Sequence, residues 1–315
     1  MSKLDRLAWD DLRVILEVAR QGSIYSAAKI LKVDHSTVTR RIAHVELILE
    51  RRLFDRSNRG ITARPETEHL LEHIRQMEVH AAAMHEAIGH VETQTRAIRV
   101  ATMEGLASGY LARRIQDITL DDPSIRIELF SNPHIVDLLK KETDIFLSFF
   151  DPQIPGLISQ QIGETAIYLY GSERYRAHHG LPTSQAELGS HRYVGYIPEM
   201  ITIESVKWLD QIVPNAHLAF CSNSVIAQRN AAIAGAGLVV LPTFVGEENE
   251  ALFRVMPDEI RSLRPVWMSV GRDQHVLKTI SRSAKAIARI FAADKRFLLG
   301  ETLALEERDL ATVKI

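Results

Sequence analysis

Cysteine is scarce in this sequence. Cys221 is the single cysteine in 315 residues, so no intrachain disulfide and no all-cysteine metal site can form. Long apolar runs are missing as well: no stretch approaches the ~20 residues that cross a bilayer. The segment Met1-Ser2-Lys3-Leu4-Asp5 has none of the apolar core of a secretion signal, so a cytoplasmic location is expected. Catalytic signatures are equally absent. There is no His-Glu-x-x-His, no Gly-x-Ser-x-Gly and no P-loop. Gly235-Ala236-Gly237 precedes an apolar run instead of following one, and it lacks the third glycine of a dinucleotide fingerprint. No catalytic residue, no bound metal and no cofactor is therefore expected, and the chain does not read as an enzyme. What is present is ordinary for a soluble globular protein, 46% hydrophobic and 25% charged, which argues against disorder or a fibrous repeat. The length suffices for two domains with proper cores.

The net charge of −2 conceals an asymmetry. Residues 1–64 carry 13 Lys and Arg against 8 Asp and Glu, or +5, so the remaining 25 against 32 give −7. A small basic head on a larger acidic body suits a nucleic-acid reader with a regulatory part attached. Within the head, Leu12, Ile15, Leu16 and Ala19 follow helical spacing up to Gly22. Ser23 can cap a second helix with Ile24, Ala27, Ala28 and Leu31 inside. After a turn at Lys32-Val33, Asp34 can cap a third, with Val38, Ile42, Val45 and Leu49 inside. Two helices joined by so short a turn suggest a helix-turn-helix. The outer face of the third helix presents Ser36, Thr39, Arg40 and Ala43, with His35 at its start and Arg41 beside it. Short hydrogen-bonding groups plus an arginine are what reach base edges in a major groove, and the first turn points backbone N–H groups at phosphate. On an isolated helix such a face would read as merely solvated.

Leu53 to Thr62 then reads as a hairpin, or wing, with Arg56, Asn58 and Arg59 near its tip, placed for phosphate or the minor groove. Taken together, Gly22-Ser23-Ile24-Tyr25-Ser26-Ala27-Ala28-Lys29-Ile30-Leu31, His35-Ser36-Thr37-Val38-Thr39-Arg40-Arg41-Ile42, Glu46 and Leu53-Phe54-Asp55-Arg56 resemble the winged helix-turn-helix of LysR-type transcriptional regulators. Two positions depart from that pattern: Glu50 and Pro65 each stand where the family has glycine. A left-handed Glu50 would cost ~1–2 kcal/mol, so a different helix end is expected there.

From about 63 to 91, Leu70, Ile74, Met77, Ala81, Met84, Ile88 and Val91 recur at spacings of 4 and 3. That is a heptad seam, about 28 residues and ~42 Å long. A linker helix pairing two subunits is also what the resemblance implies. His69, His73, His80, His85 and His90 lie on the same helix; His69 and His73 are four apart, but no carboxylate or thiolate completes a ligand set, so solvated flanks are expected.

Beyond residue 95, strands are expected at 98–101, 125–130, 144–149, 166–170, 193–197, 217–220, 238–241 and 266–270. Helices fall between several of them, at 106–118, 135–140, 204–212 and 225–234. The alternation implies an α/β fold with largely parallel sheets, long enough to split into two lobes with crossovers near Gly163 and Arg264-Pro265. The resemblance continues more loosely to about 295 through Arg99–Thr102, Asp121-Asp122-Pro123, Thr143-Asp144-Ile145 and Ala234–Pro242. It implies an effector domain similar to periplasmic binding proteins, with a small-molecule cleft between the lobes.

Ligands of open α/β sheets bind beyond the carboxyl ends of strands. The candidate contacts are therefore Thr102, Met103, Ser131, Phe149, Tyr196, Ser222 and Asn223, with Asn132, Phe150 and Ser224 in the same loops. A partly apolar metabolite is expected, with an anionic group at the helix ends if it carries one, although Glu104 beside the first loop counts against a strongly anionic ligand. Helix capping is an equally good reading of Ser222 to Ser224. Cys221 reads as a small buried hydrophobe.

The expected organisation is a winged helix-turn-helix at 1–64, a dimerising linker helix at 65–94, and an effector domain at 95–297. Its lobe I is 95–162 with 265–297, its lobe II is 163–264, and a tail without assigned role follows at 298–315. The expected function is an effector-modulated transcriptional regulator binding a pseudo-palindromic DNA site as a homodimer; the resemblance implies a tetramer. The competing reading is an α/β small-molecule binding protein or enzyme whose basic head serves only assembly.

Overall fold

The computed structural model describes residues 6–57, 60–88, 96–119, 125–131, 143–201, 206–272, 275 and 277–302. The chain divides into two compact units, Met1–Val91 and Glu92–Ile315.

In the first unit, α1 (Trp9–Gln21), α2 (Ile24–Leu31) and α3 (His35–Leu49) follow the apolar spacing. Leu12, Ile15, Leu16, Ala27, Ala28, Val38, Ile42 and Val45 are buried together, with Ile24, Leu31 and Leu49 packed at the rim. Ser23 caps α2, its hydroxyl accepting from the Ser26 N–H at 3.3 Å. Asp34 holds the corresponding position before α3, but its side chain makes no capping bond. At the other end of α3 the expectation of an altered helix end fails. Glu50 adopts the left-handed conformation, φ 54°, and the Arg51 N–H donates to the Glu46 carbonyl at 3.2 Å in the manner of a glycine-terminated helix. The strain is accepted because the chain must reverse at once into the wing.

The wing pairs β1 (Phe54–Ser57) with β2 (Gly60–Ala63), antiparallel with Phe54 opposite Ala63; Asn58 and Arg59 lie outside the described residues. Gly60 has φ +126°, and a Cβ there would come within 2.6 Å of the Gly22 carbonyl oxygen. That same oxygen accepts from the Ile61 N–H at 3.0 Å, so the wing rests on the α1–α2 turn. Leu53 anchors its base: its N–H donates to the Glu46 carboxylate at 2.8 Å, and its carbonyl accepts from Thr67 Oγ1 at 2.8 Å and the Arg64 N–H at 3.0 Å. Pro65 starts a short 3-10 turn leading into α4 (Glu68–Ile88).

The heptad reading of α4 needs correction. Ile74 is 1% exposed and, with Leu71, belongs to the core of its own unit. Arg20 on α1 further clamps the helix through a two-pronged pair with Glu78, at 3.1 and 2.6 Å. Met77 and Met84 are 45% and 63% exposed, so only this later part of the seam faces outward. The Ile88 side chain and Val91 lie outside the described residues, as do His85 and His90. His69, His73 and His80 are exposed, and no group of His, Cys, Asp or Glu among the described residues could hold a metal ion.

The second unit is built on one nine-stranded sheet. Its strands are β3 (Arg96–Ala101), β4 (Ile125–Phe130), β5 (Ile145–Ser148), β6 (Leu157–Ser172), β7 (Arg192–Gly195), β8 (His217–Cys221), β9 (Leu238–Pro242), β10 (Leu252–Val255) and β11 (Arg261–Gly271). The order is β4-β3-β5-β11-β6-β9-β7-β8, with β10 on β6. Pairing is parallel within β4-β3-β5 and β9-β7-β8, whereas β6 and β11 run antiparallel to each other and to their neighbours. The expectation of largely parallel sheets therefore holds only within these two end groups. Gly163 pairs with Val266, and Pro265 with Glu164, beside a bulge between Val266 and Trp267.

Helices cover the sheet: α5 (Glu104–Gly109), α6 (Ile115–Thr119), α7 (Glu173–His179), α8 (Trp208–Ile212), α9 (Val225–Ile233), α10 (Thr243–Gly246), α11 (Lys278–Ala293) and α12 (Lys295–Leu298). The helix expected over 106–118 is broken after Gly109, where a Cβ would meet the Phe244 carbonyl oxygen at 2.9 Å. The helix expected over 204–212 begins at Trp208, with 202–205 outside the described residues, and the one at 135–140 lies wholly outside them.

The two readings of α4 separate by mutation. Ile74→Ala is expected to lower the unfolding free energy of the first unit by about 2–5 kcal/mol, as for other buried isoleucines. Met77→Ala should leave it nearly unchanged in a denaturant titration at low protein concentration. Equal effects would return Ile74 to an intersubunit seam.

Candidate nucleic-acid interface and effector cleft

With Val38, Ile42 and Val45 turned into the core, α3 turns His35, Ser36, Arg40 and Ala43 to the surface. Thr39 is half-buried, and its hydroxyl donates to the His35 carbonyl at 3.0 Å. Its methyl group and oxygen lone pairs remain for an outside contact. Because the Asp34 side chain does not cap the helix, the His35 and Ser36 N–H groups face solvent or an anion, while the Thr37 N–H donates to the Asp34 carbonyl at 2.9 Å. Arg40, Arg51, Arg52 and Arg56 are exposed, with no carboxylate partner among the described residues. Arg41 differs. Its guanidinium lies 3.7 Å from Asp11 on α1, which also faces His44 at 3.9 Å. Part of its charge is thus engaged inside the unit.

The effector candidates are dispersed. Thr102 is fully buried; its hydroxyl donates to the Leu147 carbonyl at 3.0 Å and its N–H to the Phe130 carbonyl at 2.9 Å. This side chain ties β3 to its neighbours and presents no surface to a ligand, contrary to expectation. Phe149 is also buried, edge-on to Trp208 at 5.2 Å and parallel to Phe244 at 6.4 Å, so it is packing rather than an open wall. Met103 is half-buried before α5, Ser131 and Asn223 are exposed, and Tyr196 and Ser222 are half-buried; Asn132 lies outside the described residues. The Ser222 hydroxyl accepts from the Ser224 N–H at 3.1 Å, and its carbonyl accepts from buried Gln228 at 2.7 Å. Cys221 is exposed at the end of the edge strand β8, not buried as expected.

Sequence reasoning missed the contact that joins these loops. Glu104, following β3, accepts from the Ser224 hydroxyl at 2.9 Å and from the Val225 N–H at 2.8 Å, following β8. Burial, and then the nearby Glu104 charge, hold the Tyr196 phenol well above its ordinary pKa. Beside this contact an open hollow of about 510 Å³ is lined by Glu104, Ser108, Ser224, Ala227, Arg229 and Glu248. A small cavity of about 70 Å³ lies under Tyr196, against Ile201, Lys207 and Leu209.

Comparison with known proteins assigns both units. Residues 9–67 match the family model of the bacterial regulatory helix-turn-helix protein, lysR family, and residues 92–289 match that of the LysR substrate binding domain. The Mau operon transcriptional activator of Paracoccus denitrificans is 24% identical over 260 residues, covering 82% of this chain and 88% of that protein. The HTH-type transcriptional regulator CrgA of Neisseria meningitidis is 25% identical over 255 residues, covering 79% and 84%. Among solved structures, a full-length single-residue variant of OxyR from Pseudomonas aeruginosa superposes with a TM-score of 0.71 at 14% identity, covering 91% of this chain and 95% of that one. Full-length CbnR in complex with its target DNA gives 0.56 at 17% identity, covering 90% and 100%. At these identities the structural likeness speaks for the fold.

Replacing Thr102 with valine keeps its shape and removes the buried hydrogen bond to the Leu147 carbonyl. The second unit should lose about 1–3 kcal/mol of stability, whereas Asn223→Ala, at an exposed position, should lose less than about 0.5 kcal/mol. Thermal unfolding of the two variants measures this, and an unaffected Thr102→Val melt would show that the buried hydroxyl is dispensable.

Proposed function

The chain belongs to the LysR-type family of transcriptional regulators, and from that premise we propose which of its residues meet DNA and effector. It is a DNA-binding regulator with an effector-binding domain, not an enzyme, and the reading of the basic head as a mere assembly module is set aside. Ser36, Thr39 and Arg40 read base edges in the major groove, with His35 and the uncapped first turn of α3 on phosphate. Arg56, with Asn58 and Arg59, grips phosphate or the adjacent minor groove. Arg41 has a lesser part, since Asp11 shares its charge. The observation that carries this reading is the outer face of α3, where an exposed, carboxylate-free Arg40 follows an uncapped helix start.

The protein acts as a homodimer on a pseudo-palindromic site, paired through the outward part of α4 at Met77 and Met84, and assembles further into a tetramer in the cytoplasm. No helix among the described residues is long and apolar enough to cross a membrane. Its effector binds between lobe I, 95–162 with 265–297, and lobe II, 163–264. Met103, Ser131, Tyr196, Ser222 and Asn223 are the contacts available to it, while Thr102 and Phe149 support their loops from beneath. No role is assigned to the tail from 298 to 315.

Two measurements test this reading. In DNA titrations, Arg40→Ala should weaken binding to the specific site by ~1–3 kcal/mol and spare nonspecific binding. Arg56→Ala should weaken binding to all sequences and lower the salt slope by about one. An Arg40 variant with unchanged site preference would refute the recognition-helix assignment. In light scattering, Met77→Glu should shift the protein from dimer towards monomer, because a charge in a paired seam loses its solvation. A monomeric wild type would overturn the pairing.

A further inference from the structure

Glu104 opens α5 in the strand group β4-β3-β5, yet its carboxylate closes the first turn of α9, which belongs with β9-β7-β8. A helix start carries unpaired N–H groups and a partial positive charge. At α9 the Ser224 hydroxyl accepts one of these N–H groups, from Ala227 at 3.1 Å. Glu104 accepts from another, that of Val225, and accepts a hydrogen bond from the Ser224 hydroxyl as well. The place that a ligand's acidic group would occupy at this helix end is thus filled by a carboxylate of the chain itself.

The surrounding groups fit that role. Arg229, in the same hollow, is paired with Glu248, and no cationic side chain pairs with Glu104 among the described residues. Among the described residues its carboxylate is held by a hydroxyl and a backbone N–H. The next residue is glycine, and a Cβ at Gly105 would stand 3.0 Å from Val225 Cγ1. At Gly109 it would meet the Phe244 carbonyl oxygen at 2.9 Å. α5 therefore lies hard against α9 and α10, an approach that larger residues at 105 and 109 would obstruct. Phe149, packed on Trp208 and Phe244, adds an apolar contact between the same two strand groups.

We propose that Glu104 is a latch between the two lobes, an internal carboxylate seated on the N-terminus of α9 that bars acidic effectors from that helix end and that an entering effector must displace. The proposal rests on the reading that the effector binds between the lobes and deepens it. Such an effector is uncharged or cationic where it meets Glu104.

The test uses the full-length protein without any effector. Glu104→Ala vacates the helix end, and amide hydrogen exchange should then rise about tenfold or more on both sides of the latch, at 104–107 and at 225–228. Acetate should restore protection in this variant, by binding where the side chain was, while chloride at equal ionic strength should not, and neither should alter the wild type. Glu104→Gln keeps the shape without the charge; it should show a smaller rise and no response to acetate, and it serves if the alanine variant fails to fold. Unchanged exchange at 225–228 in both variants would overturn the proposal. So would a rise at 225–228 with none at 104–107, which makes Glu104 a simple cap, or an alanine variant indifferent to acetate, which makes its effect one of packing. Because no effector enters the experiment, such failures leave the cleft reading intact, and that reading fails separately if small molecules never alter DNA binding while the latch holds.

Discussion

Backbone N–H groups at the start of a helix have no partner within it, and three helix starts of this protein dispose of them in different ways. α2 is closed by the Ser23 hydroxyl, a purely local solution. α9 is closed by its own Ser224 and by Glu104, a residue 120 positions away. α3 is closed by neither, since Asp34 makes no side-chain bond to it. α1, preceded by Ala8, likewise lacks a side-chain cap, but of these starts only that of α3 stands beside the face proposed above for DNA, where a phosphate would complete the donor set. The same local chemistry thus serves folding at α2, lobe contact at α9 and, in the function proposed above, recognition at α3.

The wing obeys a related economy around one residue. Leu53 has both of its backbone groups engaged, by Glu46 from α3 and by Arg64 and Thr67 ahead of α4. Any tilt of α3 is therefore carried to the base of the wing and to the start of the linker helix. The left-handed Glu50 makes this arrangement possible at a cost of ~1 kcal/mol or more, against which stand the hydrogen bonds of Leu53, one of them fully buried. A glycine would relieve the strain; the fold tolerates its absence because the Glu46 carbonyl and carboxylate together hold the turn.

How much of this was legible depended on the distance over which each interaction acts. The helices of the head and the strands at 98–101, 125–130 and 238–241 were readable, because periodicity records which face of an element is buried. Periodicity does not record what covers that face. Ile74 satisfies a heptad as well as it satisfies the core beneath α1, and only packing tells the two apart. Thr102 stands after a strand, where ligands bind, yet its hydroxyl belongs to Leu147. The first half of β6 escaped notice because Leu157 to Glu164 mixes polar and apolar residues, as suits a strand exposed along one side. Arg41 could not be separated from Arg40 by charge alone, since its partner Asp11 sits on another helix.

The Glu104 contact was the least legible, and the reason bears on regulation. Its partners are a hydroxyl and an N–H, neither of which leaves a complementary charge in the sequence. An ion pair would have advertised itself, but it would also have cost more desolvation to keep buried between two lobes. A carboxylate on a helix end is held by fixed dipoles that stay in place when it leaves, so the donors remain ready for its return. That suits a contact made and broken during function. A ligand can shift such an equilibrium only by its differential affinity for the two states, and the free energy it must supply is set by what Glu104 loses on leaving Ser224 and Val225. The loss is softened by rehydration of the carboxylate, which places the balance within reach of a small molecule.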